Sequence, residues 1–395
     1  MKRFYLGLTA SFTLFFAGKN DLWAQAQTNG INVTTTAVPF LRISPDARAG
    51  GMGDLGVATS PDAASGFYNL SKTPFAKKDI GIGLTYTPWL KDLGLNDVYL
   101  LAASGYKKLD DLQAVSVGIR YFSLGNIPFT DNSGQPLGSG SPRELGFDAG
   151  YSRKLSDKLS IGLAARYIYS NLAAGYASNT STTYQPGKTI AADISVYYQG
   201  ATETEGGFNF GAAITNLGGK IGYTNNAQEK DYIPTNLGLG ASYNMVIDDD
   251  NKLMFGLDIN KLLVPAVPVI TKDSATDANN AYNYHNKSIT SSWFSSFSGP
   301  NQLKTLTFSA GAEYGYQDQF FFRAGYYYES QVNGGRKYFS MGVGLKYNVM
   351  GLNFSYLVPS GSGTNRNPLS NTLRFGLSFD LDSNSDNSNT SSSTN

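Results

Sequence analysis

Thr372-Leu373-Arg374-Phe375-Gly376-Leu377-Ser378-Phe379-Asp380-Leu381 alternates apolar with polar or small side chains without a break. Successive side chains of a strand point to opposite faces. Leu373, Phe375, Leu377, Phe379 and Leu381 therefore share one face, and Thr372, Arg374, Gly376, Ser378 and Asp380 share the other. About ten residues of this kind make a strand long enough to cross a bilayer at a tilt, with one face suited to lipid and the other to a polar interior.

The pattern recurs upstream. Leu306, Phe308, Ala310, Ala312, Tyr314 and Tyr316 alternate with Thr305, Thr307, Ser309, Gly311, Glu313 and Gly315. Phe339, Met341, Val343, Leu345 and Tyr347 alternate with Ser340, Gly342, Gly344 and Lys346. The same template predicts strands near 79–87, 97–108, 112–124, 144–155, 159–170, 188–199, 207–217, 234–246, 252–262, 303–316, 320–328, 337–347, 351–358 and 372–381. Tight links such as Leu109-Asp110-Asp111, Ser156-Asp157-Lys158 and Gln317-Asp318-Gln319 take turns with long ones at 125–143, 171–187, 218–233, 263–302 and 359–371. Short periplasmic turns and long external loops in alternation belong to a bacterial outer-membrane barrel, whereas a soluble sandwich has no reason to sort its loops. The expected fold is all-β: a 14-stranded antiparallel transmembrane β-barrel.

Composition agrees. Only 41% of the 395 residues are hydrophobic, and no apolar run reaches the roughly eighteen residues of a spanning helix. The chain has 44 Gly, 26 Tyr and 23 Phe, which suits strands with aromatic girdles. A net charge of +1 argues against a polyanion-binding surface. Cys is absent, which removes disulfides and thiolate chemistry. Lys2 and Arg3, the apolar stretch from Phe4 to Ala17 and Ala24-Gln25-Ala26 read as a cleaved signal peptide over 1–26, with Gln27 starting the mature chain. Lys19, Asn20 and Asp21 make that stretch unusually polar, and a disordered N-terminus is the alternative.

A barrel of fourteen strands is wider than its own side chains fill. Residues 27–78 precede the first strand and are expected to plug the lumen. Ala47, Ala49, Gly50, Gly51, Gly53, Gly56, Ala58, Ala63, Ala64 and Gly66 are small enough to pack there, and a periplasmic linker is the alternative. Arg120, Asp148, Arg166, Asp193, Asp258, Glu313, Arg323, Lys346 and Arg374 fall on the inward faces of the strands in 79–381. Their mixed signs suggest paired bridges rather than a selectivity ring, which would favour one sign. The tail 382–395, almost wholly Ser, Asn, Asp and Thr, is expected to be disordered.

Chemistry is sparse. His285, the only histidine, sits in the most polar loop without ligand-spaced companions and reads as a solvated side chain. Asp248-Asp249-Asp250 lacks the alternating ligands and Gly of a calcium loop and reads as a solvated turn. No phosphate loop or nucleophile elbow occurs, so neither an enzyme nor a cofactor is expected. Trp293, Phe294 and Phe297 cluster in the longest loop as a candidate partner surface, which Trp89 and Leu90 of the first loop are expected to join. The alternative has these rings folded over the barrel mouth or seated in the lipid interface.

The run from Phe40 to Thr59 holds Arg42, Asp46, Arg48, Gly51, Gly53 and Asp54, and Asp62-Ala63-Ala64 and Asn69 follow. It resembles the N-terminal signature of the PorV family of the Bacteroidetes type IX secretion system, within the wider group of fatty-acid-transporter-like (FadL-like) barrels. Related barrels often show Asn-Pro-Ala where this chain has Asn69-Leu70-Ser71. The resemblance implies an outer-membrane shuttle. It would take cargo by a C-terminal signal domain from a large translocon barrel and pass it to a sortase-type attachment complex. A FadL-like transporter of hydrophobic small molecules is the second reading, and a passive porin, which requires an unobstructed lumen, the third.

Overall fold

Strict alternation of large apolar with small or polar residues gives each segment one face that repels water and one that tolerates it, and a sheet of such strands has to bend or close. In the computed structural model it closes. The structure describes residues 35–91, 94–130, 133–172, 184–224, 230–265, 267–268, 270–271, 273–298, 302–358 and 371–382. The expected signal peptide and the tail beyond Asp382 lie outside the described residues.

The strands are β1 (Ile80–Pro88), β2 (Val98–Lys108), β3 (Gln113–Leu124), β4 (Ile127–Thr130), β5 (Pro136–Gly140), β6 (Arg143–Lys154), β7 (Leu159–Asn171), β8 (Gly187–Gln199), β9 (Gly207–Gly218), β10 (Asn236–Val246), β11 (Asn251–Leu262), β12 (Leu306–Tyr316), β13 (Phe320–Glu329), β14 (Lys337–Tyr347), β15 (Met350–Val358) and β16 (Leu373–Leu381). All but β4 and β5 form one closed antiparallel barrel of fourteen strands, in which Ile80 of β1 stands opposite Leu381 of β16. Closure leaves no open edge, the condition for a sheet to sit in hydrocarbon. The largest boundary difference from the sequence reading is at β12, which starts at Leu306 because Gln302–Thr305 form a 3-10 turn.

Burial follows the alternation. On β3, Val115, Val117 and Ile119 are exposed, whereas Ala114, Ser116 and Arg120 are buried. Polar side chains buried inside and aliphatic ones exposed outside are the reverse of a soluble protein and fit a barrel in lipid.

Two long connections contain structure of their own. Between β3 and β6, strands β4 and β5 pair as a small ribbon. Between β11 and β12 lie α2 (Ser274–Asn286) and α3 (Ile289–Ser295), where the sequence reading had an unstructured polar loop. No residue of α2 is buried, so the helix has no apolar stripe for hydrophobic periodicity to detect. Its capping signals were present nonetheless: Asp273 accepts from the Ala275 amide and Ser288 from the Ser291 amide.

The residues before β1 touch inward positions around the barrel. The Gly53 amide donates to Ser340 of β14 at 2.8 Å. Ser242 of β10 donates to the Ala58 carbonyl at 2.8 Å, and Asn69 to the Val196 carbonyl of β8 at 3.0 Å. Thr73 and Ser152 of β6 pair through their hydroxyls at 2.8 Å. A segment that meets the inward faces of so many strands of a closed barrel lies inside it. It is short-ranged in structure: 3-10 turns at Pro39–Arg42 and Leu70–Phe75 and one helical turn, α1 (Ala47–Gly50).

Glycine on both sides permits the approach. A Cβ on Gly325 of β13 would stand 2.0 Å from the carbonyl carbon of Met52, and Gly53 has φ +71° against the Tyr326 backbone. Because both obstacles are main chain, a Gly325→Val substitution has to displace Met52 and Gly53. It is expected to cost about 1–3 kcal/mol, read as a lower midpoint for loss of the compact band on unboiled gels. An unchanged midpoint would contradict this packing.

Candidate functional site

Charged side chains on inward faces have to be paired, because an isolated buried charge costs several kcal/mol. Here several are paired with the inner segment. Arg48 of α1 grips Glu313 of β12 with two nitrogens, Nη2 at 2.8 Å and Nε at 3.0 Å, and its Nη1 reaches Asp62 at 2.8 Å. Glu313 also accepts from Arg323 Nε at 2.6 Å, and Arg323 extends to Asn353 at 2.8 Å. One carboxylate is thus shared by a guanidinium of the inner segment and one of the wall.

Three further clamps surround it. Arg42 donates to Glu329 at 2.9 Å, and Glu329 also accepts from Arg336 Nε at 2.7 Å. Asp54 accepts from the Tyr338 hydroxyl at 2.5 Å and lies 3.4 Å from Arg374. Asp258 of β11 accepts from the amides of Gly56 and Val57 at 2.8 and 2.9 Å. Lys72 donates to the Gly56 carbonyl at 2.7 Å and to the Thr59 hydroxyl at 3.0 Å. The turn at Gly56 is therefore held between a wall carboxylate and an ammonium of its own segment.

The remaining inward charges brace the wall. Arg166 bonds Asp148 and Asn216, and reaches Asp193 at 2.8 Å. Arg120 contacts Asp148 at 3.5 Å and donates to the Leu41 carbonyl at 3.3 Å. Lys346 pairs with Asp380 at 2.6 Å.

The two ends of the segment are finished differently. Toward the tight turns, a cavity of about 440 Å³ lies beneath the Arg48 clamp, lined by Asp62, Phe75, Tyr197, Glu313 and Lys346 among others. Toward the long loops, Val38, Phe40 and Leu41 pack with Trp89, Val98, Leu100, Phe122, Ile168, Ile221 and Ile233 into a buried apolar cap.

That cap corrects one expectation. Trp89 is only 8% exposed, and Leu90 packs against the same cluster, so neither joins a surface on α3. The Trp89 amide donates to the Val98 carbonyl at 2.9 Å and closes the first loop back on the barrel. On α3, Trp293 is half-buried and Phe294 is 76% exposed; Phe297, two residues past the helix end, is 53% exposed. His285 is half-buried rather than solvated. Its ring meets Tyr284 edge-on at 5.2 Å, and its Nδ1 lies 3.4 Å from the Lys230 carbonyl. Asp248 forms the expected turn, accepting from the Asp250 and Asn251 amides.

A family model described as "Type IX secretion system protein PorV" matches residues 25–269. The chain belongs to the PorV family. It is an outer-membrane barrel of type IX secretion. Among solved structures the CymD monoaromatic hydrocarbon channel is similar, at 12% identity over 85% of this chain and 97% of that one, with a TM-score of 0.52. A TodX deltaS2S3 mutant, also a monoaromatic hydrocarbon channel, is 12% identical over 84% and 97%, with a TM-score of 0.50. The toluene transporter TbuX of Ralstonia pickettii gives 12%, 84%, 95% and 0.47. At such identity the likeness is one of fold. No curated protein matches the chain in sequence.

The PorV signature maps onto the clamps. Arg42, Arg48 and Asp54 make the ion pairs, and Asp46 caps α1 by accepting from the Arg48 and Ala49 amides. Gly51 approaches Gly342 so closely that a Cβ would stand 3.0 Å from its Cα. Asn69 accepts from the Ser71 amide and donates to the Val57 carbonyl, so Leu70-Ser71 still form the capped turn. Lys72, Glu329 and Arg336 were missed. Glu329 closes β13 one residue beyond the expected end, Arg336 lies in a loop, and Lys72 has no periodic context, so alternation could not mark them.

Two outcomes follow for PorV-type fastening. Glu313→Gln leaves Arg48 and Arg323 facing each other without their shared carboxylate, and is expected to cost about 3–5 kcal/mol. Thermal unfolding in detergent measures it, and Arg48→Met should cost much less in that background than alone. Burial lowers the Lys72 ammonium to about 8, whereas an unfolded lysine titrates near 10.4. Between those values the unfolded chain binds more protons, so Lys72 makes stability rise with pH over that window. The difference between wild type and Lys72→Met should show that rise; a pH-independent difference would contradict it.

Proposed function

We propose that this PorV-family barrel carries secreted proteins between stations of type IX secretion rather than passing them through its own interior. The observation that supports this best is the fastening of residues 35–76 to wall after wall of the lumen. An interior so filled offers a folded protein no passage and leaves the external loops as the working surface. In this reading residues 1–26 export the chain and are removed, 27–78 form the plug and 79–381 the barrel. The loops receive the C-terminal signal domain of cargo at a large translocon barrel, and the barrel diffuses in the membrane to a sortase-type attachment complex. Phe294 of α3 and Phe297 just beyond it serve as aromatic anchors, with Trp293 behind them. No covalent step falls to the carrier.

A FadL-like transporter is the second reading. It is favoured by the hydrocarbon channels that share the fold and by the partly apolar 440 Å³ cavity. Affinity capture of the tagged protein from native outer membrane in mild detergent separates the two. The carrier reading expects a very large barrel and secreted proteins with a common C-terminal domain. Phe294→Ala/Phe297→Ala should lower the recovered cargo at least about tenfold, as loss of a central aromatic anchor does. Capture of the barrel alone with hydrophobic small molecules would overturn it.

A further inference from the structure

On one side of the barrel the inner segment lies close against the wall. On β14, β16 and β1 some of the inward positions facing the inner segment are glycine, and the segment answers with small residues. A Cβ on Gly376 would lie 3.1 Å from the Cβ of Ala47, one on Gly83 3.2 Å from the Cβ of Ala63, and one on Gly342 3.1 Å from the Cα of Gly51. Wall and segment there meet almost backbone to backbone.

The outer face of the same strands is hollow, with a volume of about 950 Å³. Its outward row is Phe322, Val343, Phe354, Phe375, Tyr86 and Leu101, each the cross-strand partner of the next. No Asp, Glu, Lys, Arg or His lines the hollow. Smallness keeps it open at one point: Ala103 stands between Leu84 and Ile119, which are both large and outward-facing.

We propose that this hollow seats the acyl chains of a phospholipid, held against the barrel rather than exchanging freely with the bilayer. The hollow is continuous with the apolar outer belt that the fold presents to lipid, so hydrocarbon reaches it without crossing polar surface. Left unfilled in a membrane, its walls forfeit their dispersion contacts on one side. Flexible chains fill an irregular concavity, whereas a rigid partner needs a matching bulge. Tyr86 and Tyr121 at the end nearer the loops give the chains an amphipathic border. The inference needs only a barrel in lipid and stands apart from the carrier reading.

Native mass spectrometry of the protein extracted from its membrane in mild detergent tests it. Wild type is expected to retain phospholipid, and Ala103→Trp, which fills the hollow from outside, to lose it. Val196→Trp, on the outward face of β8 away from the hollow, should retain it. Val343→Trp fills the same hollow from another strand and serves if Ala103→Trp does not fold. Wild type free of phospholipid, or hollow variants that keep as much as wild type, would overturn the proposal. So would a dimer mass in wild type that Ala103→Trp abolishes, which would make the hollow a contact between copies.

Discussion

Everything in this molecule follows from the pairing of β16 with β1, because a sheet in hydrocarbon cannot leave an edge unsatisfied. Closing fourteen strands satisfies the backbone and at once creates a second difficulty, an interior wider than its own side chains can fill. The chain meets it with the residues that precede β1. The inner segment is thus the complement of the barrel's width. Its many small residues let it reach the wall, and its few charged ones decide where it stops.

The fastening uses two kinds of force, apolar contact and charge. Near the loops the segment ends in an apolar cap, in which Phe40 and Leu41 meet Trp89 and Leu100. Charge holds it from that end inward: Arg42 to Glu329 and Asp54 to Tyr338 and Arg374 nearer the loops, Arg48 to Glu313 deeper in. Apolar contact is non-directional, so it seals without specifying register. Bidentate guanidinium and carboxylate pairs are directional and specify it. The Gly56 turn goes further, since its amide is claimed by the wall through Asp258 and its carbonyl by Lys72. A shift of that turn by one residue would break contacts on both sides.

The strands were legible in the sequence because a period of two with unlike faces leaves a trace in every residue. Arg374, Asp258 and Glu313 were legible as inward for the same reason. What each charge touches was not, because Arg48 and Glu313 stand 265 positions apart and only the closed barrel brings them together. Trp89 was left between an exposed anchor and a ring folded over the barrel mouth, and the structure takes the second: a large aromatic in a loop looks the same in sequence whether it faces solvent or covers a core. The helices α2 and α3 were invisible to periodicity because α2 buries nothing and α3 is short, although Asp273 and Ser288 announced their caps.

A filled, multiply fastened interior bears on what such a protein can do. Each clamp joins the inner segment to a different strand, so displacing the segment means breaking several buried pairs together, each expensive once its partner is gone. Movement by small steps is therefore costly, and thermal motion leaves the interior closed. The loop end is built otherwise. The polar α2 buries no residue, and Phe294 of the short α3 and Phe297 just beyond it are exposed. Rigidity is concentrated where the membrane must not leak, and exposed apolar surface where another protein can arrive. The first secures the barrel, and the second is the surface on which the proposed carrier reading depends.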